Sequence, residues 1–103
     1  HGGGRVSVLR AVEEGAGRLV PKNRDAEKRA LARRDGAVCF YCGRTRKNPL
    51  TMTIEHLLPR SHGGSNAMEN LRLADALCNK LAGRLSVHAK LELRAKWHAA
   101  EGL

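Results

Sequence analysis

The sequence predicts a small α+β domain, two short strands with flanking helices stapled by a cysteine-bound metal, and three observations carry that expectation. The chain has 103 residues, enough for one compact domain and too few for separate cofactor and substrate lobes. Its three cysteines, Cys39, Cys42 and Cys78, are an odd number that cannot all pair within the chain and suit a metal better than disulfides. Two alternating runs, at 50–54 and 70–74, bracket a loop with Pro59 and the Gly63-Gly64 pair and read as hairpin partners.

A staple is needed because the core is lean. The hydrophobic fraction is 42% but the aromatics are only Phe40, Tyr41 and Trp97. A domain of this size buries about 60–65% of its unfolded surface. At about 25 cal/mol per Å² that gain barely exceeds chain entropy, so an added cross-link is expected.

The elements follow in order. His1-Gly2-Gly3-Gly4 lacks an initiator Met and an apolar signal core and reads as a processing remnant outside the fold. Residues 1–22 are read as an N-terminal arm, since Gly15 and Gly17 oppose a long helix and Pro21 closes the segment; the domain is expected over 23–103. Asn23 reads as the N-cap of a helix over 24–35, with Asp25 and Glu27 in its first turn, Arg33 and Arg34 in its last and Gly36 beyond. Its apolar stripe is Ala26, Ala30 and Leu31. Residues 37–43 form a cysteine-bearing turn and 45–49 a basic loop. The strand at 50–54 delivers Glu55 and His56 at its end, and 57–66 is a polar loop. After the strand at 70–74, Asp75 caps a helix to about Leu85. Ser86 caps a last helix whose Val87, Leu91, Ala95 and Trp97 offer a packing face. No run approaches about 18 apolar residues, so no membrane span is expected. Reduced thiols without a signal segment favour an intracellular setting.

Cys39-x-x-Cys42 places two sulfurs on one turn, each able to reach an ion at about 2.3 Å. Cys78 arrives on the following helix, and Asp75, three residues before it, is the most economical fourth ligand. Simple N-capping by Asp75 stays open, as do His62 and His88 as substitutes, and a disulfide or redox pair at Cys39 and Cys42 is the alternative to zinc.

Read in series, Cys39-x-x-Cys42, Thr53-Ile54-Glu55-His56-Leu57-Leu58-Pro59-Arg60-Ser61-His62-Gly63-Gly64, Glu69-Asn70-Leu71 and Cys78-Asn79 resemble the HNH endonuclease family. More narrowly, they are similar to its zinc-stapled members from bacteria and phages, over about residues 37–85. The resemblance implies the ββα-metal (His-Me finger) fold, DNA as substrate and one catalytic divalent ion, Mg²⁺ or Mn²⁺, besides the structural Zn²⁺. It implies His56 as general base, Glu55 and Asn79 as ligands of the catalytic ion, and Asn70 as the brace that orients the base, making an H-N-N variant. The chain departs from the family at Asp75, often Cys or His in relatives, and at Ala82, which takes the place of a frequent Lys; Lys80 or Arg84 stands in for that contact.

The chemistry agrees. Phosphodiester hydrolysis needs a water proton acceptor, which an imidazole with an ordinary pKa near 6.5 provides at neutral pH, and a cation for developing charge. A hard ion takes oxygen ligands, as a carboxylate and an amide supply. Adjacent strand residues point to opposite faces, so a bend at the strand end is expected to bring Glu55 and His56 together.

Lys plus Arg is 19 against 10 Asp plus Glu, a formal charge of +9, which attracts polyanions. Arg44, Arg46, Lys47, Arg60, Lys80 and Arg84 are the candidate phosphate contacts. Without stacking aromatics or a recognition helix, backbone contacts with weak sequence preference are expected. A larger protein partner and the oligomeric state stay open. The alternative reading is a zinc-stabilised DNA-binding accessory module without catalysis; a third is thiol-disulfide exchange.

Overall fold

The structure is a computed structural model describing residues 23–102; the arm expected over 1–22 lies outside them. Helix α1 (Arg24–Asp35) forms over the expected twelve residues, because the Asn23 side chain accepts from the Ala26 N–H and Gly36, at φ 83°, ends it. Leu31 is buried and Ala30 packs beside it. Lys28 donates to the Leu50 carbonyl, and Arg34 to those of Met68 and Leu71 at 2.7 Å. These two cations therefore hold α1 against the chain around Leu50 and around 68–71.

The cysteine turn is a small hairpin. Val38 bridges Thr45, Cys39 N–H donates to Arg44 and Gly43 N–H to Cys39. Strand β1 (Thr53–His56) pairs antiparallel with β2 (Leu71–Ala74) in the register Thr53↔Ala74, Ile54↔Leu73, Glu55↔Arg72 and His56↔Leu71. The first strand thus starts three residues later than the alternation at 50–54 implies. Asn48 explains the shift: its side chain accepts from Leu50 N–H and its carbonyl from Thr51 Oγ1. With Pro49 at the first position this makes a 3-10 turn over Pro49–Thr51. Asn70 likewise closes a turn, Met68–Asn70, instead of opening β2.

Helix α2 (Ala76–Ala82) stops at Gly83, short of the expected end near Leu85. Helix α3 (Val87–Ala100) starts where Ser86 accepts from Ala89 N–H. Its inner face differs from the expected one: Ala95 is exposed, whereas Lys90 is buried beside Val87. No helix of the described residues is long and apolar enough to cross a membrane.

The main core joins Leu31, Met52, Ile54, Leu71 and Leu73 to the hairpin residues Cys39 and Tyr41. All three aromatics meet there, Tyr41 lying edge-on to Phe40 at 5.3 Å and to Trp97 at 5.7 Å. Such pairs add about 0.5–1.5 kcal/mol beyond area burial, which concentrates the scarce aromatic surface around the cysteines. This α+β arrangement, with β1, β2 and α2 beside a cysteine cluster, is consistent with a ββα-metal fold.

The loop after β1 has one position with no room. A Cβ on Gly64 would lie 1.8 Å from the Leu58 carbonyl oxygen and 3.0 Å from Asn70 Nδ2. Gly64→Ala is expected to destabilise the protein by about 2–4 kcal/mol, measured as a lower urea midpoint at unchanged slope.

Candidate functional site

Helix α2 carries one residue of each of two candidate sites, Cys78 and Asn79. At the first, the ligand atoms of Cys39, Cys42, Asp75 and Cys78 all fall within 4.8 Å of one another. A tetrahedral ion with bonds of about 2.3 Å needs ligand separations of about 3.8 Å, so the cluster can hold a structural metal such as zinc. Asp75 stands at the N-cap position but its side chain caps nothing. The carboxylate instead receives Arg46 at 2.8 and 2.5 Å and lies 3.4 Å from Cys42 Sγ, and the Arg46 bonds hold it below the usual carboxylate range. This answers the capping reading. His62 and His88 are exposed and outside the cluster, and no disulfide joins the cysteines. Burial pushes the Cys42 thiol up and, with the neighbouring Cys39 sulfur adding to it, Cys78 to about 12. A cation entering here must displace thiol protons.

At the second centre, Asn79 Nδ2 donates to Thr53 Oγ1 at 3.1 Å and to the Ile54 carbonyl at 3.3 Å, tying α2 to β1 one residue before Glu55. Asn79 Oδ1 is left without a hydrogen-bond partner among the described residues. Glu55 is 4% exposed, and its Oε2 takes both the Tyr41 hydroxyl and, at 3.1 Å, the Lys90 ammonium. Burial first, then the Glu55 bond, raise the Tyr41 pKa, so it stays a donor. Glu55 Oε1, like Asn79 Oδ1, has no described hydrogen-bond partner, and these two oxygens suit a hard divalent ion.

His56 faces the other way. The expected bend is missing: β1 stays paired through His56, so alternation sends Glu55 toward α3 and His56 toward α1. His56 Nε2 lies 2.8 Å from Asn66 Oδ1. An amide oxygen only accepts, so Nε2 carries the proton in this contact and Nδ1 keeps its lone pair. The ring lines a cavity of about 180 Å³ with Arg24, Glu27, Arg60 and Asn66.

Asn70, fully buried, holds the connecting loop in shape. Its Oδ1 accepts from Leu58 N–H at 2.8 Å, and Nδ2 donates to the carbonyls of Leu58 and Ser65 at 3.1 and 2.8 Å. Ser65 precedes Asn66, so the brace reaches His56 through one peptide.

The basic candidates divide. Arg46 is engaged by Asp75, and Arg44 pairs with Glu101 at 3.1 Å. Lys47, Arg60, Lys80 and Arg84 are exposed and form no ion pair with a described residue. Ala82 is 1% exposed in the core.

Sequence reasoning missed Asn66, Tyr41 and Lys90 as site neighbours. Asn66 reads as an ordinary turn residue and Tyr41 as spacer between cysteines. Lys90 carried a usable signal, three residues after Val87 and seven before Trp97 on one helical face.

A family model described as HNH endonuclease matches residues 39–96, more than half of the chain. No curated protein and no solved structure matches it. The matched span runs from the first cysteine through the strand, the braced loop, Asn79 and Lys90, and the chain belongs to the HNH endonuclease family.

Proposed function

We propose that the domain, over 23–103, is a metal-dependent endonuclease hydrolysing DNA phosphodiester bonds, with Zn²⁺ at Cys39, Cys42, Asp75 and Cys78 and Mg²⁺ or Mn²⁺ at Glu55 and Asn79. The observation that carries this reading is His56, held through Nε2 by Asn66 with Nδ1 free, in a cavity that Arg24 and Arg60 also line. In the proposed reaction Nδ1 accepts a proton from water, and the resulting hydroxide attacks phosphorus as the bond to the leaving oxygen breaks. The proton stays on His56, and the leaving oxygen collects one from solvent. A divalent ion held by Glu55 and Asn79 would supply charge stabilisation at the phosphate oxygens; since β1 turns Glu55 and His56 to opposite faces, both reach one phosphate only once the end of β1 bends. Asn70 positions His56 through Ser65 and Asn66. Arg60, Lys47, Lys80 and Arg84 are free to contact backbone phosphates, binding without reading sequence, while Arg44 and Arg46 serve the fold.

The second reading, a zinc-stabilised DNA-binding module without catalysis, draws on the ammonium that already neutralises Glu55. A supercoiled-plasmid assay in metal-stripped buffer separates the two. Added Mg²⁺ or Mn²⁺ is expected to start cutting by the wild type and not by His56→Ala. Retarded but uncut plasmid with folded, zinc-loaded wild type would favour the binding module.

A further inference from the structure

The buried charged side chains among the described residues are Glu55 and Lys90, and they face each other. Lys90 is 0% exposed; its Nζ lies 3.1 Å from Glu55 Oε2 and donates to the His56 carbonyl at 2.7 Å. A surface lysine would leave its charge in water, whereas this one is held against both strand residues of the site by the α3 backbone. Tyr41 adds a neutral donor to the same oxygen. The protein's contribution to the second centre is therefore one carboxylate, one amide and one ammonium, a net charge of zero. Binding sites for hard dications normally supply net negative oxygens. Here an incoming dication gains Glu55 Oε1 but meets a fixed positive charge one carboxylate away.

We propose that Lys90 makes loading of the catalytic ion conditional on DNA: Glu55 being neutralised within the protein, the negative charge that retains the ion comes from the bound phosphodiester. The inference rests on the reading of Glu55 and Asn79 as ion ligands given above. Lys90 is a positioning residue, since it acts through Glu55 and the His56 carbonyl. By linkage, DNA must then tighten the ion by the same factor as the ion tightens DNA. A domain built this way stays without its catalytic ion until a phosphodiester is bound.

Mn²⁺ binding to the zinc-loaded chain of 103 residues tests this, with free Mn²⁺ read by electron paramagnetic resonance. The His56→Ala variant is titrated alone and with a short DNA duplex, the Mn²⁺ held by duplex alone being subtracted. The duplex is expected to tighten Mn²⁺ roughly tenfold or more. Lys90→Met without DNA is expected to bind Mn²⁺ roughly tenfold tighter than the wild type without DNA, a gain that mere loss of packing cannot produce. Equal affinity with and without DNA overturns the proposal, as does a folded, zinc-loaded Lys90→Met that binds no tighter. If Lys90→Met does not fold, the DNA arm decides alone. Metal-dependent plasmid cutting by wild type without this coupling removes only the Lys90 proposal. No cutting and no Mn²⁺ binding in any arm removes the ion site itself, and the proposal with it.

Discussion

Chelation of the ion at Cys39, Cys42, Asp75 and Cys78 is expected to unfold the domain. The cross-link joins the hairpin at 38–45 to the start of α2, and Cys39 lies inside the main core beside Tyr41. Structural zinc contributes an apparent binding free energy of about 10–16 kcal/mol in small metal-folded domains. The whole stability of a typical domain is about 5–15 kcal/mol, so the ion outweighs what the lean core leaves. Without a cation, Arg46 stays on Asp75, and the Cys42 and Cys78 thiols, pushed up by burial, remain protonated in a crowded, partly buried cluster. Circular dichroism during titration with a chelator, and again after adding Zn²⁺, should show loss and return of helix. Cys78→Ser should resemble the chelated protein, and a chelated chain that keeps its native melting curve would show the cluster to be dispensable.

His56→Ala is expected to lower the cleavage rate by about 10²–10⁴-fold, the range for loss of a positioned base, without lowering stability by more than about 1 kcal/mol. The ring is half-buried and donates one side-chain hydrogen bond, to the exposed Asn66, so little of the fold depends on it. Asn66→Ala separates orientation from chemistry. It leaves the imidazole in place and removes the acceptor that sets its tautomer, and a smaller loss, roughly 10–100-fold, is expected by analogy with lost supporting bonds at metal-bound histidines. Single-turnover rates with a labelled duplex measure both, and a His56→Ala protein that cuts at the wild-type rate would remove the mechanism.

What was legible beforehand follows the range of the forces involved. The ends of α1 and the start of α3 are set by Asn23, Gly36 and Ser86 acting on backbone four residues away or fewer, and such local bonds are written in the residue order. The cysteine centre was legible because few side chains can bind a soft ion and their spacing is restrictive. The start of β1 departs from the alternation at 50–54 although its cause, Asn48 before Pro49, is equally local: turn chemistry overrides alternation there. The missed bond from Tyr41 spans 14 residues and that from Lys90 to His56 spans 34. Such contacts exist only once the chain has folded. The expected bend failed for a related reason, since pairing with Leu71 keeps His56 in the strand.

Cys78 and Asn79 are consecutive residues of a seven-residue helix, so one peptide unit carries the staple and a proposed ligand of the catalytic ion. Successive side chains on a helix are about 100° apart around its axis, and a helix of two turns is too short to absorb a twist along its length. The radius of an ion held by the cluster would therefore bear on the azimuth at which Asn79 meets β1. Exchanging zinc for a larger thiophilic cation such as Cd²⁺ would rotate that amide and retune a reaction in which the exchanged ion takes no chemical part.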